Sequence, residues 1–152
     1  MRHFIAVACT LALTNCGDSP TQPTQSTQPP AQEFVLVISG TLTPVSGLDS
    51  IQSVAILFDR VERGNKRCAS ILCHSLDVST SVASNRGAHS IEIQLLGRLC
   101  DFMPCTGTSR IGFSGIVTVY KAGAVVQQLP LAQQTRDLSE GDKISYQVTV
   151  NP

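Results

Sequence analysis

Lys143-Ile144-Ser145-Tyr146-Gln147-Val148-Thr149-Val150 alternates without a slip. Ile144, Tyr146, Val148 and Val150 share one face, and Lys143, Ser145, Gln147 and Thr149 share the other. Successive side chains of a strand point to opposite sides, so this stretch reads as a strand with one face buried and one in water. Residues 90–95 repeat the pattern, with Ile91, Ile93 and Leu95 set against Ser90, Glu92 and Gln94. Residues 34–38, 54–58, 76–82, 111–120 and 124–129 complete about seven apolar runs, and no segment offers an i, i+3, i+4, i+7 face. Strands that are apolar on one side bury that side against each other, so the chain from 33 to 152 is expected to be an all-β domain, an antiparallel β-sandwich.

Turn chemistry fixes some neighbours. Tyr120-Lys121-Ala122-Gly123-Ala124 sets a glycine between two apolar runs and predicts a hairpin there. Ser139-Glu140-Gly141-Asp142 launches the last strand. The chain has no Trp, hence no Cys…Trp…Cys spacing, which argues against an antibody-type domain. Ser39-Gly40-Thr41-Leu42 followed by Val54-Ala55-Ile56-Leu57 resembles the first hairpin of transthyretin-like and carboxypeptidase-regulatory-like modules, which are also β-sandwiches.

Ahead of the domain the composition differs. Met1-Arg2-His3, the apolar run from Phe4 to Leu13, and Thr14-Asn15 before Cys16 have the layout of an export signal over residues 1–15. Its ten residues are too few for a transmembrane helix, which needs about 20. Leu13-Thr14-Asn15-Cys16 resembles the lipobox of bacterial lipoproteins, with Asn15 at the position where that family usually has a small residue. The resemblance implies acylation of Cys16 and places the chain in a bacterial cell envelope. With Gly17 rather than Asp after the cysteine, it implies the outer membrane or cell surface. Cys9 then falls in the discarded leader. Residues 16–32, GDSPTQPTQSTQPPAQ after the cysteine, hold four prolines and no side chain able to seed a core, so they read as a tether of polyproline II character.

Eleven basic side chains balance eleven acidic ones. Steering of polyanions by net charge is excluded, and nucleic acid is not an expected partner. Charged residues make up only 14% of the chain against about a quarter in ordinary domains, so Ser, Thr, Gln and Gly must cover much of the surface.

Four cysteines remain in the domain: Cys68, Cys73, Cys100 and Cys105, two C-x₄-C pairs in an exported chain where disulfides persist. If Asn85-Arg86-Gly87-Ala88 turns a hairpin, Val82 faces Ile91, Thr80 faces Ile93 and Val78 faces Leu95. The same register sets Cys73 against Cys100 and Cys68 against Cys105, within bridging reach. Two nested bridges are therefore expected, and each would constrain the unfolded chain by about 3.5 kcal/mol. Local pairing, Cys68 with Cys73 and Cys100 with Cys105, is the rival, at about 2 kcal/mol for so short a loop. The four thiolates, with His74 and Met103 near, also carry soft-metal ligand types, the basis of an alternative reading as a metal-binding or redox envelope protein. The expectation nevertheless is that the domain holds neither metal nor cofactor.

No G-x-S-x-G, H-E-x-x-H or phosphate-loop pattern occurs, and the domain's only imidazoles are His74 and His89. His74, Ser75 and Asp77 have triad residue types without triad spacing. Asp59 with Glu62, and Glu140 with Asp142, read as solvated carboxylates. The chain is not expected to be an enzyme. What stands out is Arg60, Arg63, Lys66 and Arg67, four cations within eight residues running into Cys68. The run reads first as a solvated loop; since arginine pairs bidentately with carboxylate and phosphate, its functional reading, with Phe102 from the second cysteine loop, is a contact for an envelope glycan or an envelope protein. The expected function is a non-catalytic binding or accessory module, held to the membrane by its N-terminal lipid and presenting stapled loops. The further alternative is an inhibitor of a cell-envelope enzyme.

Overall fold

A computed structural model describes residues 33–45, 50–69, 73–99 and 107–151, and among them lie eight strands and no helix. Strands β1 (Phe34–Pro44), β4 (Leu76–Ser84), β6 (Ser109–Lys121) and β7 (Ala124–Leu138) form one antiparallel sheet in the order β4-β1-β6-β7. Strands β2 (Ser50–Phe58), β3 (Val61–Arg67), β5 (Gly87–Leu99) and β8 (Lys143–Val150) form the second, in the order β3-β2-β5-β8. The two sheets pack face to face, with β3 against β4 at one side and β7 against β8 at the other. The β-sandwich expected from the alternation is therefore the fold.

The core is what the period-two pattern specifies. Phe34, Leu36, Ile38 and Leu42 of β1 and Ile111, Phe113, Val117 and Val119 of β6 face Val54, Ile56, Ile91, Ile93, Leu95, Ile144 and Val150 of the other sheet, each of them almost inaccessible. Burying one such side chain fully contributes about 1.5–3 kcal/mol. Phe113 and Tyr146 meet between the sheets with ring centroids 5.8 Å apart, and the Tyr146 hydroxyl donates to the Phe113 carbonyl at 3.1 Å. Burial pushes the Tyr146 phenol above its ordinary value.

The β6–β7 hairpin forms where expected, its turn made by Ala122 at φ 48° and Gly123 at φ 82°. Asp142 N–H donates to the Ser139 carbonyl, closing the turn that launches β8.

Three expectations are corrected. The first concerns residues 76–84 and 87–99, which are not a hairpin. Strand β4 pairs with β1, from Phe34↔Ser84 to Leu42↔Leu76, while β5 lies in the other sheet between β2 and β8. Asn85-Arg86-Gly87 is a crossover between sheets, with Gly87 at φ 133°. A period-two apolar strand matches any partner of the same parity, so β1 satisfies β4 as well as β5 would. The second follows from it: β1 and β2, the two strands resembling a first hairpin, lie in opposite sheets. The third is an eighth strand, β3, in a segment read as a loop. It has one apolar residue, Val61, and is held by pairing with β2 through a two-residue turn at Asp59 and Arg60, whose φ values of 49° and 66° are those of a hairpin turn.

The strand directions give the domain two distinct ends. At one lie Glu33, the β2–β3, β4–β5 and β6–β7 turns, and Asn151. At the other lie the ends of β1 and β5, the starts of β2, β4 and β6, and both Cys68 and Cys73. Glu33 is tied in at the first end by N–H bonds to the Ser84 carbonyl and the Asn85 side chain. A hydrogen bond from Lys121, with Arg86 adding its charge, holds the Glu33 carboxyl below its ordinary range.

Candidate functional site

Strand β3 is an edge strand of its sheet and is exposed along almost its whole length. The four expected cations lie on it or at its turn, Arg60 at the first end of the domain and Arg67 near the cysteine end. At about 3.3 Å per residue they span roughly 20 Å. Among the described residues none of the four makes an ion pair, whereas Arg86, Lys121 and Lys143 each do. Charges on an edge strand also discourage strand-to-strand association. Gly64 lets β3 approach β4: an added Cβ would sit 3.0 Å from the Thr80 hydroxyl, and that hydroxyl donates to the Arg63 carbonyl at 2.8 Å.

Lys66 reaches past β4 into a groove of about 750 Å³ on the outer face of the first sheet. Strand register explains the lining. Asp77, Thr41 and Ser114 form one row across β4, β1 and β6, and Ser79, Ser39 and Ile116 form the next. The Thr41 hydroxyl donates to Asp77 Oδ1 at 2.6 Å. Beneath the rows Gly40 and Gly115 are cross-strand partners, and their missing side chains make room for the Phe113 ring on the core side. A smaller concavity of about 380 Å³ at the opposite end of β3 is lined by Asp59, Arg60, Ala88, Ser90 and Gln147.

Three residues not linked in the sequence reading assemble at the first end. The Ser84 hydroxyl lies 3.1 Å from His89 Nε2, and His89 Nδ1 lies 2.8 Å from Asp59 Oδ2. These are the distances of a serine-histidine-aspartate triad, but the exposure runs the wrong way for nucleophilic attack. Ser84 is only 5% exposed, while the Asp59 side chain is 47% exposed. Nε2 also lies 3.0 Å from the Asn85 carbonyl, and the Ser84 hydroxyl lies 3.3 Å from that same oxygen. Asp59 is further tied by Ser90 N–H at 2.9 Å, and the imidazole stacks on Phe58 at 4.9 Å. The group is a clasp joining Ser84 of one sheet to Asp59 and His89 of the other. Asp77 of the sequence triplet points instead at Thr41.

Cys68 is bonded to Cys73, with Cα atoms 6.1 Å apart, so the nested pairing is corrected to the local one at this site. The cause is the β2–β3 register. Cys68 N–H donates to the Gln52 carbonyl at 2.7 Å and the Cys73 carbonyl accepts from Ile51 N–H at 3.2 Å, which brings both cysteines to adjacent residues of β2. Joined, these two sulfurs are not available as thiolate ligands. Among the described residues, no three His, Cys, Asp or Glu side chains form a group that could hold a metal. Residues 1–15, Cys16 and the tether, Cys100, Cys105, Phe102 and Met103 lie outside the described residues.

Arg98 was not marked by the alternation. It is 5% exposed at the end of β5, where its guanidinium donates to the Ser109 hydroxyl and the Gly107 carbonyl. It fixes the start of β6 to the end of β5, beside β2 residues Ser50 and Ile51. Compared with protein-family models, with curated proteins and with solved structures, the chain matches none.

Proposed function

We propose that this protein is a non-catalytic bacterial envelope lipoprotein, anchored through Cys16, whose sandwich domain binds an anionic envelope component along β3. The observation that carries the reading is the line of Arg60, Arg63, Lys66 and Arg67 on one exposed edge strand, with no ion pair on any of them among the described residues. Cations with no ion pair among the described residues have the most to gain from a carboxylate or phosphate partner. The lipobox-like Leu13-Thr14-Asn15-Cys16 and the Pro-rich stretch behind it support the address. Export supports the oxidised state of Cys68 and Cys73. The buried position of Ser84 supports a binding role over hydrolysis.

The test uses the full chain purified from a bacterial envelope and immobilised, with polyanion binding measured across a salt series. Binding should weaken steeply with salt, and the Arg63→Ala/Arg67→Ala variant should lose about tenfold in affinity while its melting temperature stays unchanged. Binding that is indifferent to salt and to both arginines refutes the reading. Equal partition of wild type and Cys16→Ala into the membrane fraction refutes the anchor.

A further inference from the structure

We infer that the groove beside Lys66 is a saccharide subsite, and that the anionic component is a carboxylate-bearing polysaccharide, one of whose sugar-acid units sits on the rows Asp77-Thr41-Ser114 and Ser79-Ser39-Ile116. This rests on the reading of β3 as the binding edge and adds to it a ligand class and a site. The sequence alone does not pair these residues. They come from three strands and meet only through the registers Thr41↔Asp77, Thr41↔Ser114, Ser39↔Ser79 and Ser39↔Ile116.

The chemistry of the lining selects the ligand. The hydroxyls of Ser39, Ser79 and Ser114 can both donate and accept, as a polyol's own hydroxyls do, and Thr41, whose proton goes to Asp77, accepts. Asp77 is an acceptor-only group that takes the Thr41 proton on Oδ1, and a carboxylate in this lining favours a ligand that brings hydroxyl protons. A phosphate chain has no protons to give it and would meet repulsion there, whereas a sugar does. Lys66 enters from the β3 side and supplies the charge for the sugar's carboxylate. The patch measures about 10 Å across three strands and about 7 Å along them, the footprint of a sugar ring. Ile116 provides an apolar contact for a ring face. The Gly40–Gly115 pair keeps the two rows close over the Phe113 ring, so the floor is set by packed backbone rather than by a loop. Lys66 is itself a member of the β3 cation cluster, which joins the subsite to the charged edge.

The experiment measures affinity of the full chain for three probes: a uronic-acid oligomer, a neutral glucose oligomer of the same length, and inorganic polyphosphate. Each is tested with wild type, Asp77→Asn, Ser114→Leu and Arg63→Ala/Arg67→Ala. Asp77 and Ser114 are exposed on the outer face, so these variants are expected to fold, and thermal melts check it. The expected result is uronate binding at least tenfold tighter than the neutral oligomer, with a loss of about tenfold for Asp77→Asn and Ser114→Leu toward uronate only. If uronate and polyphosphate bind alike, with both groove variants at wild-type affinity and the arginine variant weakened, the subsite is overturned and the charged edge stands. If no probe binds, the charged edge itself is refuted and the subsite with it.

Discussion

Replacing Gly40 by Ala is expected to be among the most costly single-methyl additions in this domain. A Cβ on Gly40 would stand 2.5 Å from the Ser114 carbonyl oxygen and 2.9 Å from Gly115 Cα, and would run into the tip of the Phe113 ring. Two of these three obstacles are backbone atoms of the adjacent strand and cannot rotate away. Only the ring can move, and it is packed against Tyr146. Overpacking of this kind costs about 1–3 kcal/mol, and the backbone obstacles place Gly40 at the upper end. Against this, Ala restricts the unfolded chain and returns about 0.4–1 kcal/mol, because Gly40 is not at a positive φ. The net loss is therefore about 2 kcal/mol, or a fall of roughly 8–10 °C in melting temperature for a domain of this size. Thermal unfolding followed by far-ultraviolet circular dichroism, with urea titration for the free energy, reads it directly. Adding Phe113→Leu should recover only the part due to the ring. A loss below about 0.5 kcal/mol would show that β1 and β6 do not approach as closely as Gly40↔Gly115 pairing requires, and would remove the floor of the groove.

Other outcomes follow from single contacts. Peptide mapping without reduction should recover Cys68 linked to Cys73, and the Cys68→Ser/Cys73→Ser variant should lose about 2 kcal/mol; a Cys68–Cys105 peptide would restore the nested arrangement. Tyr146→Phe removes the bond to the Phe113 carbonyl and should cost about 1 kcal/mol at neutral pH. Since burial raises the Tyr146 phenol, its neutral form is favoured in the fold. That contribution is whole below the unfolded value near 10 and declines as pH climbs through the folded value, so a urea series at alkaline pH should show a decline that Tyr146→Phe lacks. His89→Ala breaks the clasp and unstacks Phe58, with an expected loss of about 2–3 kcal/mol. Wild type should hydrolyse an activated ester no faster than buffer, with Ser84→Ala the same, and a serine-dependent ester turnover would make the clasp an active site.

Much of the core was legible because it depends only on parity. Ile144, Tyr146, Val148 and Val150, or Ile91, Ile93 and Leu95, declare their inward face without reference to any partner. Partners are another matter. Residues 76–82 fit opposite 90–95 as well as they fit opposite β1, since both choices set apolar on apolar. The deciding term is closure of two four-stranded sheets, which no local window contains. The misassigned cysteine pairing descends from that one choice. Strand β3 was hidden for a different reason: Val61-Glu62-Arg63-Gly64-Asn65-Lys66-Arg67 has no alternation, and its turn uses Asp59-Arg60 where a glycine would have announced a hairpin. Of the candidate site, the cations were visible as a cluster. Their arrangement as an edge was not, nor was the groove assembled from three strands, nor Arg98, whose charge sits buried at the junction of β5 and β6.

Register also decides what each end of the domain can offer. Strand β1 begins at Phe34, and the side chain of Glu33 just before it is secured by Lys121 and Arg86. Ten residues on, at about 3.3 Å each, β1 reaches Pro44 some 30 Å away, beside the starts of β4 and β6. Asp77 and Ser114 of the groove, Lys66, and the Cys68–Cys73 bridge all belong to this far half of the domain. The clasp of Asp59, His89 and Ser84 belongs to the near half. The near end is thus given to cross-sheet fastening, beside a β1 that is paired on both sides. The far end carries the hydroxyl rows and the last cations of β3, and the bridge holds the exit of β3 against β2. The groove is floored by the packed backbone of three strands and walled by hydroxyl rows, whereas the concavity beside Arg60 is lined largely from a turn, which is why the groove is the stronger place to look for the ligand.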